Sequence, residues 1–138
     1  MEFSFIQLLI DFGLVVLIWL VQLCIYPAFT YFEKANLIRW HEAYTPKITL
    51  IVFPLMLGQL MIATFLLYMD FKTQHLINAA LVCITWASTF LIYVPLHQKI
   101  ALKRNPIKNS YKLVRLNWIR VFIWSLIFIH NLLFVIFS

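Results

Sequence analysis

Charge is what this chain lacks. Asp, Glu, Lys and Arg together make up 12% of its 138 residues, and only five of those residues are acidic. Four stretches hold no charged residue at all. Twenty-one uncharged residues lie between Asp11 and Glu33, 22 between Lys47 and Asp70, 26 between Lys72 and Lys99, and 18 follow Arg120. A soluble domain of this size would lack the polar surface to cover a composition that is 64% hydrophobic. Each stretch is long enough, or nearly so, to cross a hydrocarbon core of about 30 Å as a helix. The expected fold is therefore all-α, a four-helix up-down bundle in the membrane. Its spans run at about 6–30, 48–69, 75–98 and 115–137, within one transmembrane domain covering 1–138.

Other absences narrow the chemistry. No HxxxH, ExxH or CxxC spacing occurs, so no metal motif is legible. The two cysteines, Cys24 and Cys83, fall about ten residues apart in depth, roughly 15 Å along helices, too far for a disulfide. They read as small buried apolar residues. Glu2 stands where a signal peptide would be basic, and no small-residue cleavage site follows the first apolar run, so a cleaved leader is not expected. Neither an internal repeat nor a low-complexity tract is present.

The basic residues fall on one side. With four spans, the loops 33–47 and 99–115 share a face. That face takes Lys34, Arg39, Lys47, Lys99, Lys103, Arg104, Lys108, Lys112 and Arg115, with Arg120 at its border. The other face has Lys72 alone, a split of ten to one. The positive-inside rule then places both loops in the cytoplasm and both termini outside, as in a bacterial inner-membrane protein. The net charge of +6 reads as attraction of the 99–115 loop to anionic headgroups, not as nucleic-acid binding. Within the first loop, Leu37, Trp40, His41 and Tyr44 share one helical face, and Pro46 follows. This pattern predicts a short interfacial helix over 34–45 that ends before the second span and folds over the bundle mouth.

Polar residues inside the spans are few, and their cost in lipid turns them toward the bundle interior. Asp11, Val15, Ile18, Gln22 and Tyr26 form a stripe on the first span. Gln59 stands near the middle of the second. Thr85, Thr89, Tyr93 and His97 recur at i+4 on the third, and Asn117, Arg120, Trp124 and Asn131 share a face of the fourth, with His130 beside them. Sorted by depth, Tyr26, His41, Tyr93, His97, Asn117 and Arg120 gather at the basic end, with Gln22 and Gln59 deeper. His97, Asn117 and Arg120 are the candidate catalytic residues. His41, Tyr26, Tyr93, Gln22 and Gln59 are the candidate ligand-binding residues. Two imidazoles, a guanidinium, an amide and two phenols can hold an anionic or quinone-like substrate, and the imidazoles are candidate haem ligands. The competing reading is interfacial, with Arg120 snorkelling to the headgroups. Asp11 with His130 is a second candidate pair for proton transfer, against the simpler reading that Asp11 marks the end of the first span.

The stretch Tyr93-Val94-Pro95-Leu96-His97, with Asn117-Trp118-Ile119-Arg120 further on, resembles the anthrone oxygenase-like family of small four-span proteins. That family typically carries Val-Pro-Leu-Asn after its third span and Asn-x-x-Arg at the start of its fourth. Pro95, Leu96, Asn117 and Arg120 match, and His97 stands where the family has Asn. The resemblance covers about thirty residues well and the rest by topology. It implies an oxygenase or oxidase acting on an aromatic, lipid-soluble substrate. Trp19 to Tyr26-Pro27 and Pro54-Leu55-Met56 are similar to the four-span protoporphyrinogen oxidase family. Gln7 and Asp11 stand where that family has an early His, and residues 73–98 lack its Lys. Three functions stay open at this point: a membrane oxidoreductase using the polar cluster at the basic end, a non-catalytic accessory or assembly subunit of a larger complex or homo-oligomer, and a transport module. The last is poorly served by so few polar residues.

Overall fold

A computed structural model describes residues 2–137. Four helices fill it: α1 (Glu2–Phe29), α2 (Lys34–Met69), α3 (Thr73–Ala101) and α4 (Pro106–Phe137). Each is long and apolar enough to span a membrane, and the chain is an integral membrane protein. Connections at 30–33, 70–72 and 102–105 are short, so neighbouring helices run antiparallel in up-down order. The packing is a ring. α1 meets α4 and α2, and α3 meets α2 and α4. The outside is covered with exposed Leu, Ile and Phe side chains, while Tyr31, Tyr68, Phe71 and Tyr111 stand out near helix ends.

Two apolar layers make the core. One contains Leu14, Ile18, Met56, Val82, Val121 and Ile127. The other, toward the basic connections, contains Val21, Phe29, Leu37, Leu96, Ile100 and Leu113. The chain's only two glycines both sit where α1 approaches α2. A Cβ on Gly58 would lie 3.4 Å from Ile10, and one on Gly13 would lie 3.9 Å from Leu55. Small residues at such crossings let membrane helices come close enough for dispersion contacts to hold them.

The helices are longer than the uncharged stretches. α2 begins at Lys34 and runs 36 residues without a break, through Pro46 and Pro54. The expected separate interfacial helix is therefore corrected: 34–45 is helical, but it is the first part of the second span's own helix. Pro46 leaves the Glu42 carbonyl without its usual donor. The turn holds because Glu42 is exposed to solvent or headgroups, while the Thr45 hydroxyl donates to the His41 carbonyl at 2.8 Å. The apolar face does its expected work at Leu37, His41 and Tyr44, which are buried, but Trp40 stays 44% exposed and stacks on Tyr44. At the second basic connection α4 already begins at Pro106, so most of 99–115 is helical too.

Two helices are interrupted at equivalent places. α1 loosens into a π-turn at Val21–Ile25, just before Tyr26-Pro27. α3 does so at Thr89–Tyr93, just before Val94-Pro95. The N–H of Tyr26 reaches Val21, and that of Val94 reaches Thr89, one residue further than in an α-helix. A π-turn accommodates one extra residue and rotates the next turn of helix, relieving the clash of a proline ring with the preceding turn. On α3 the hydroxyls of Ser88 and Thr89 both donate to the Thr85 carbonyl, at 2.8 Å each, loosening the same stretch from inside.

Cys24 and Cys83 are both free and exposed on the apolar exterior, which corrects the expectation that they are buried. Each falls on the outward face of its helix, where lipid tails accept a thiol as readily as a packed core does.

Candidate functional site

The prolines and π-turns aim Tyr26 and Tyr93 inward at the level where α2 brings His41 and α3 brings His97. Gln22, Asn117 and Arg120 approach from the other side. The result is one chain of hydrogen bonds through all four helices. Gln22 donates to the Val114 carbonyl at 3.1 Å and accepts from Asn117 at 2.9 Å. The Asn117 oxygen accepts from Arg120 Nε at 3.0 Å and Nη2 at 2.7 Å. Arg120 Nη2 also donates to the Tyr26 hydroxyl at 3.1 Å. That hydroxyl lies 3.0 Å from His97 Nε2, and His97 Nδ1 lies 2.9 Å from His41 Nε2. The Tyr93 hydroxyl donates to the Leu116 carbonyl at 2.8 Å, and its ring lies 3.7 Å beneath the Arg120 guanidinium.

Arg120 is thus a buried cation, 7% exposed, and does not snorkel. Its partners are neutral: an amide oxygen, a phenol and an aromatic face. A guanidinium with five donors is suited to such a site, because its diffuse charge is less costly to desolvate than an ammonium.

Arg120 fixes the direction of its own bonds, and one tautomer of the imidazoles continues the same sense. Arg120 can only donate, so the Tyr26 oxygen accepts from it and its proton is free for His97 Nε2. His97 then carries its own proton on Nδ1 and gives it to His41 Nε2. The alternative tautomers reverse the imidazole bonds, and the two patterns together form a path along which a proton can move between His41 and Tyr26.

Beside this chain lies a cleft of about 500 Å³ between α2 and α3. The two helices are in contact near the 70–72 connection and again where the Val94–Ala101 segment meets α2, and they part between, beside the π-turn at Thr89–Tyr93. Phe53 and Phe90 flank the opening and are half exposed, so the cleft faces the lipid side of the bundle. Its walls are apolar (Ile48, Val52, Met56, Val94), and its polar floor is His41, His97, Tyr26, Tyr93 and Arg120. Trp86 also lines it, and its indole N–H is buried with no hydrogen-bond partner. Largely apolar concavities of this size with a few convergent polar groups are the usual form of a small-molecule site.

Of the eight residues singled out in the sequence, seven join in one network. Gln59 belongs to a second network, toward the opposite end. It donates to Asp11 at 2.6 Å and accepts from the Trp124 indole at 3.2 Å. Asn131 donates to the other Asp11 oxygen at 2.6 Å and to Asn78 at 3.0 Å. Asp11 therefore lies inside its helix, 1% exposed, and does not mark a span end. Its partner on α4 is Asn131, not the neighbouring His130, which meets the Gln74 carbonyl at 3.1 Å. One position along a helix turns a side chain by about 100°, and that separates the two. Sequence reading missed Asn78, Trp86 and Thr45. Asn78 had a signal, since it stands at i−7 from Thr85 on the same stripe.

The imidazole pair does not fit as the two axial ligands of one haem. Metal–imidazole bonds are about 2 Å, so opposed ligands need about 4 Å between nitrogens, and here His41 Nε2 and His97 Nδ1 are hydrogen-bonded at 2.9 Å. Among the described residues no three His, Cys, Asp or Glu side chains converge.

No protein-family model, curated protein or solved structure matches the chain.

Proposed function

We propose that the protein is a small membrane oxidoreductase of the oxygenase type, acting on a lipid-soluble aromatic ligand, quinone-like or porphyrin-like, at the cytoplasmic end of the bundle. The observation that carries this reading is the cleft: open to lipid, apolar on its walls, with two imidazoles, two phenols and a guanidinium at its floor. A flat apolar molecule would enter from the bilayer without crossing water, and a hydroxyl or carbonyl on its leading edge would meet the floor. A proton from such a hydroxyl would pass to the Tyr26 oxygen, as the proton of Tyr26 moves to His97 Nε2 and that on His97 Nδ1 to His41. Arg120, with Asn117 fixing its orientation, is placed to stabilise the oxygen that gains negative charge. The resemblance of Pro95, Leu96, Asn117 and Arg120 to the anthrone oxygenase-like pattern points the same way.

The test is direct binding. Purified protein titrated with a quinone, an anthrone and a porphyrin should show saturable quenching of Trp86 and Trp124 emission for one class. Trp86→Phe should diminish the quenching, and His97→Ala and Arg120→Lys should weaken the affinity about tenfold or more. Absence of saturable quenching by all three would end the reading.

A second reading, a non-catalytic subunit of a larger complex, is favoured by one observation: the inner polar groups are bonded to one another, as a structural network requires. It predicts co-purification with a partner and an empty cleft.

A further inference from the structure

Ten basic residues lie toward one end of the chain's bundle, but they are not evenly spread in space. Four of them, Lys99, Arg104, Lys108 and Lys112, converge with Asn105 and Asn109 around a separate concavity of about 270 Å³. It lies between the last turn of α3 and the first turns of α4, away from the α2–α3 cleft.

The concavity is a product of backbone as well as charge. The connection 102–105 turns back through two residues in the left-handed region, Lys103 at φ 59° and Asn105 at φ 46°. Asn adopts that region readily, while a long side chain such as lysine does so seldom. Pro106 then starts α4 with φ already set. Asn109, only 6% exposed, pins the turn by donating its side-chain N–H to the Arg104 carbonyl at 2.7 Å, and its backbone N–H to Asn105 at 3.0 Å. Lys108 and Lys112 share a face of α4 at i+4, and Arg104 of the connection and Lys99 of α3 line the same concavity.

This arrangement is unfavourable alone. Like charges at i+4 repel. No acidic side chain relieves them: among the described residues the one ion pair is Lys72–Asp70, beyond the far end of the bundle. The N-terminus of α4 adds partial positive charge of its own. A cation cluster held together by a pinned turn, at headgroup depth, calls for a polyvalent anion.

We infer that this concavity is a specific site for a phospholipid whose headgroup carries two phosphate diesters, the diphosphatidylglycerol type. A single diester supplies one negative charge and leaves the cations mostly unpaired. Two linked diesters divide between Lys99 with Arg104 and Lys108 with Lys112, and the exposed Asn105 amide can donate to the linking glycerol. Basic pockets between membrane helices recognise such headgroups in this way. The concavity shares no lining residue with the cleft. It also differs from diffuse attraction, which would involve Lys34, Arg39 and Lys47 equally.

The experiment uses the whole protein in detergent, with native mass spectrometry during titration with diphosphatidylglycerol, phosphatidylglycerol or phosphatidylcholine. Diphosphatidylglycerol should bind one equivalent about tenfold more tightly than phosphatidylglycerol offered at equal total charge. Arg104→Gln with Lys108→Gln should remove that preference, and Lys34→Gln with Lys47→Gln should leave it intact. All four positions are exposed, and circular dichroism checks that each variant folds. Equal affinity per charge for both anionic lipids would overturn the site, and so would equal losses from the two double variants.

Discussion

Arg120 is the residue on which the basic end of the bundle is organised, because it is the one charged group among the buried members of that network. It orders Asn117 and Tyr26 by donation and lies on the Tyr93 ring. Arg120→Ala should therefore cost about 1–3 kcal/mol, the penalty for leaving buried acceptors unmade, and should lower the yield of folded protein. Arg120→Lys should recover part of that yield but not the ligand affinity, since an ammonium cannot reach both acceptors in one plane. The exposed Lys47→Ala is the matched control, and thermal unfolding in detergent reads all three. An equally small loss for Arg120→Ala and Lys47→Ala would mean that the guanidinium escapes to the headgroups. Asp11→Ala should be similarly costly, because Gln59 and Asn131 would each lose a buried acceptor. Replacing His130 should change little, as its contact is a carbonyl near the helix ends.

Among the elements, the four in-helix prolines do not have the same weight. Pro27 and Pro95 each come directly after a π-turn that aims a tyrosine at the cleft floor, whereas Pro46 and Pro54 lie in unbroken helix. Pro27→Ala or Pro95→Ala removes the ring that disfavours regular α-helix there, and the turn can tighten and rotate its tyrosine away. The expected outcome is a folded protein whose affinity for the aromatic probe falls about tenfold. Pro54→Ala should leave the affinity unchanged and can raise stability, since proline in a helix interior costs about 3 kcal/mol relative to alanine. Ligand titration and thermal unfolding, run together on the three variants, separate site geometry from general stability.

At the scale of the whole molecule, the charge asymmetry predicts orientation. Both termini should lie outside and the connections 30–33 and 102–105 inside. Impermeant thiol reagents on intact cells should label single cysteines placed at 72–75 and leave those at 105–110 untouched. Cys24 and Cys83 are first replaced by serine, because both are exposed at the bundle surface. Labelling at 105–110 in intact cells would reverse the assignment, and with it the cytoplasmic placing of the cleft.

Four spans, their helical state and the grouping of the basic residues came from composition and spacing alone, because lipid leaves the backbone few alternatives and makes uncharged length diagnostic. The cost of polar groups in lipid also decides which of them turn inward: Gln22, Tyr26, Tyr93, Asn117 and Arg120 are all buried. Sequence could not say which of them touch. His41 and His97 are 56 residues apart, and their 2.9 Å contact depends on α2 continuing unbroken through Pro46. Asp11 meets Asn131 instead of His130 through a single step of helical rotation. The cleft exists because α2 and α3 part beside the π-turn at Thr89–Tyr93, and the basic concavity exists because two residues of a short connection adopt left-handed backbone. Periodicity determines the face a residue occupies. The rotation, length and splay of the helices, set by packing among all four, determine which faces meet and at what distance.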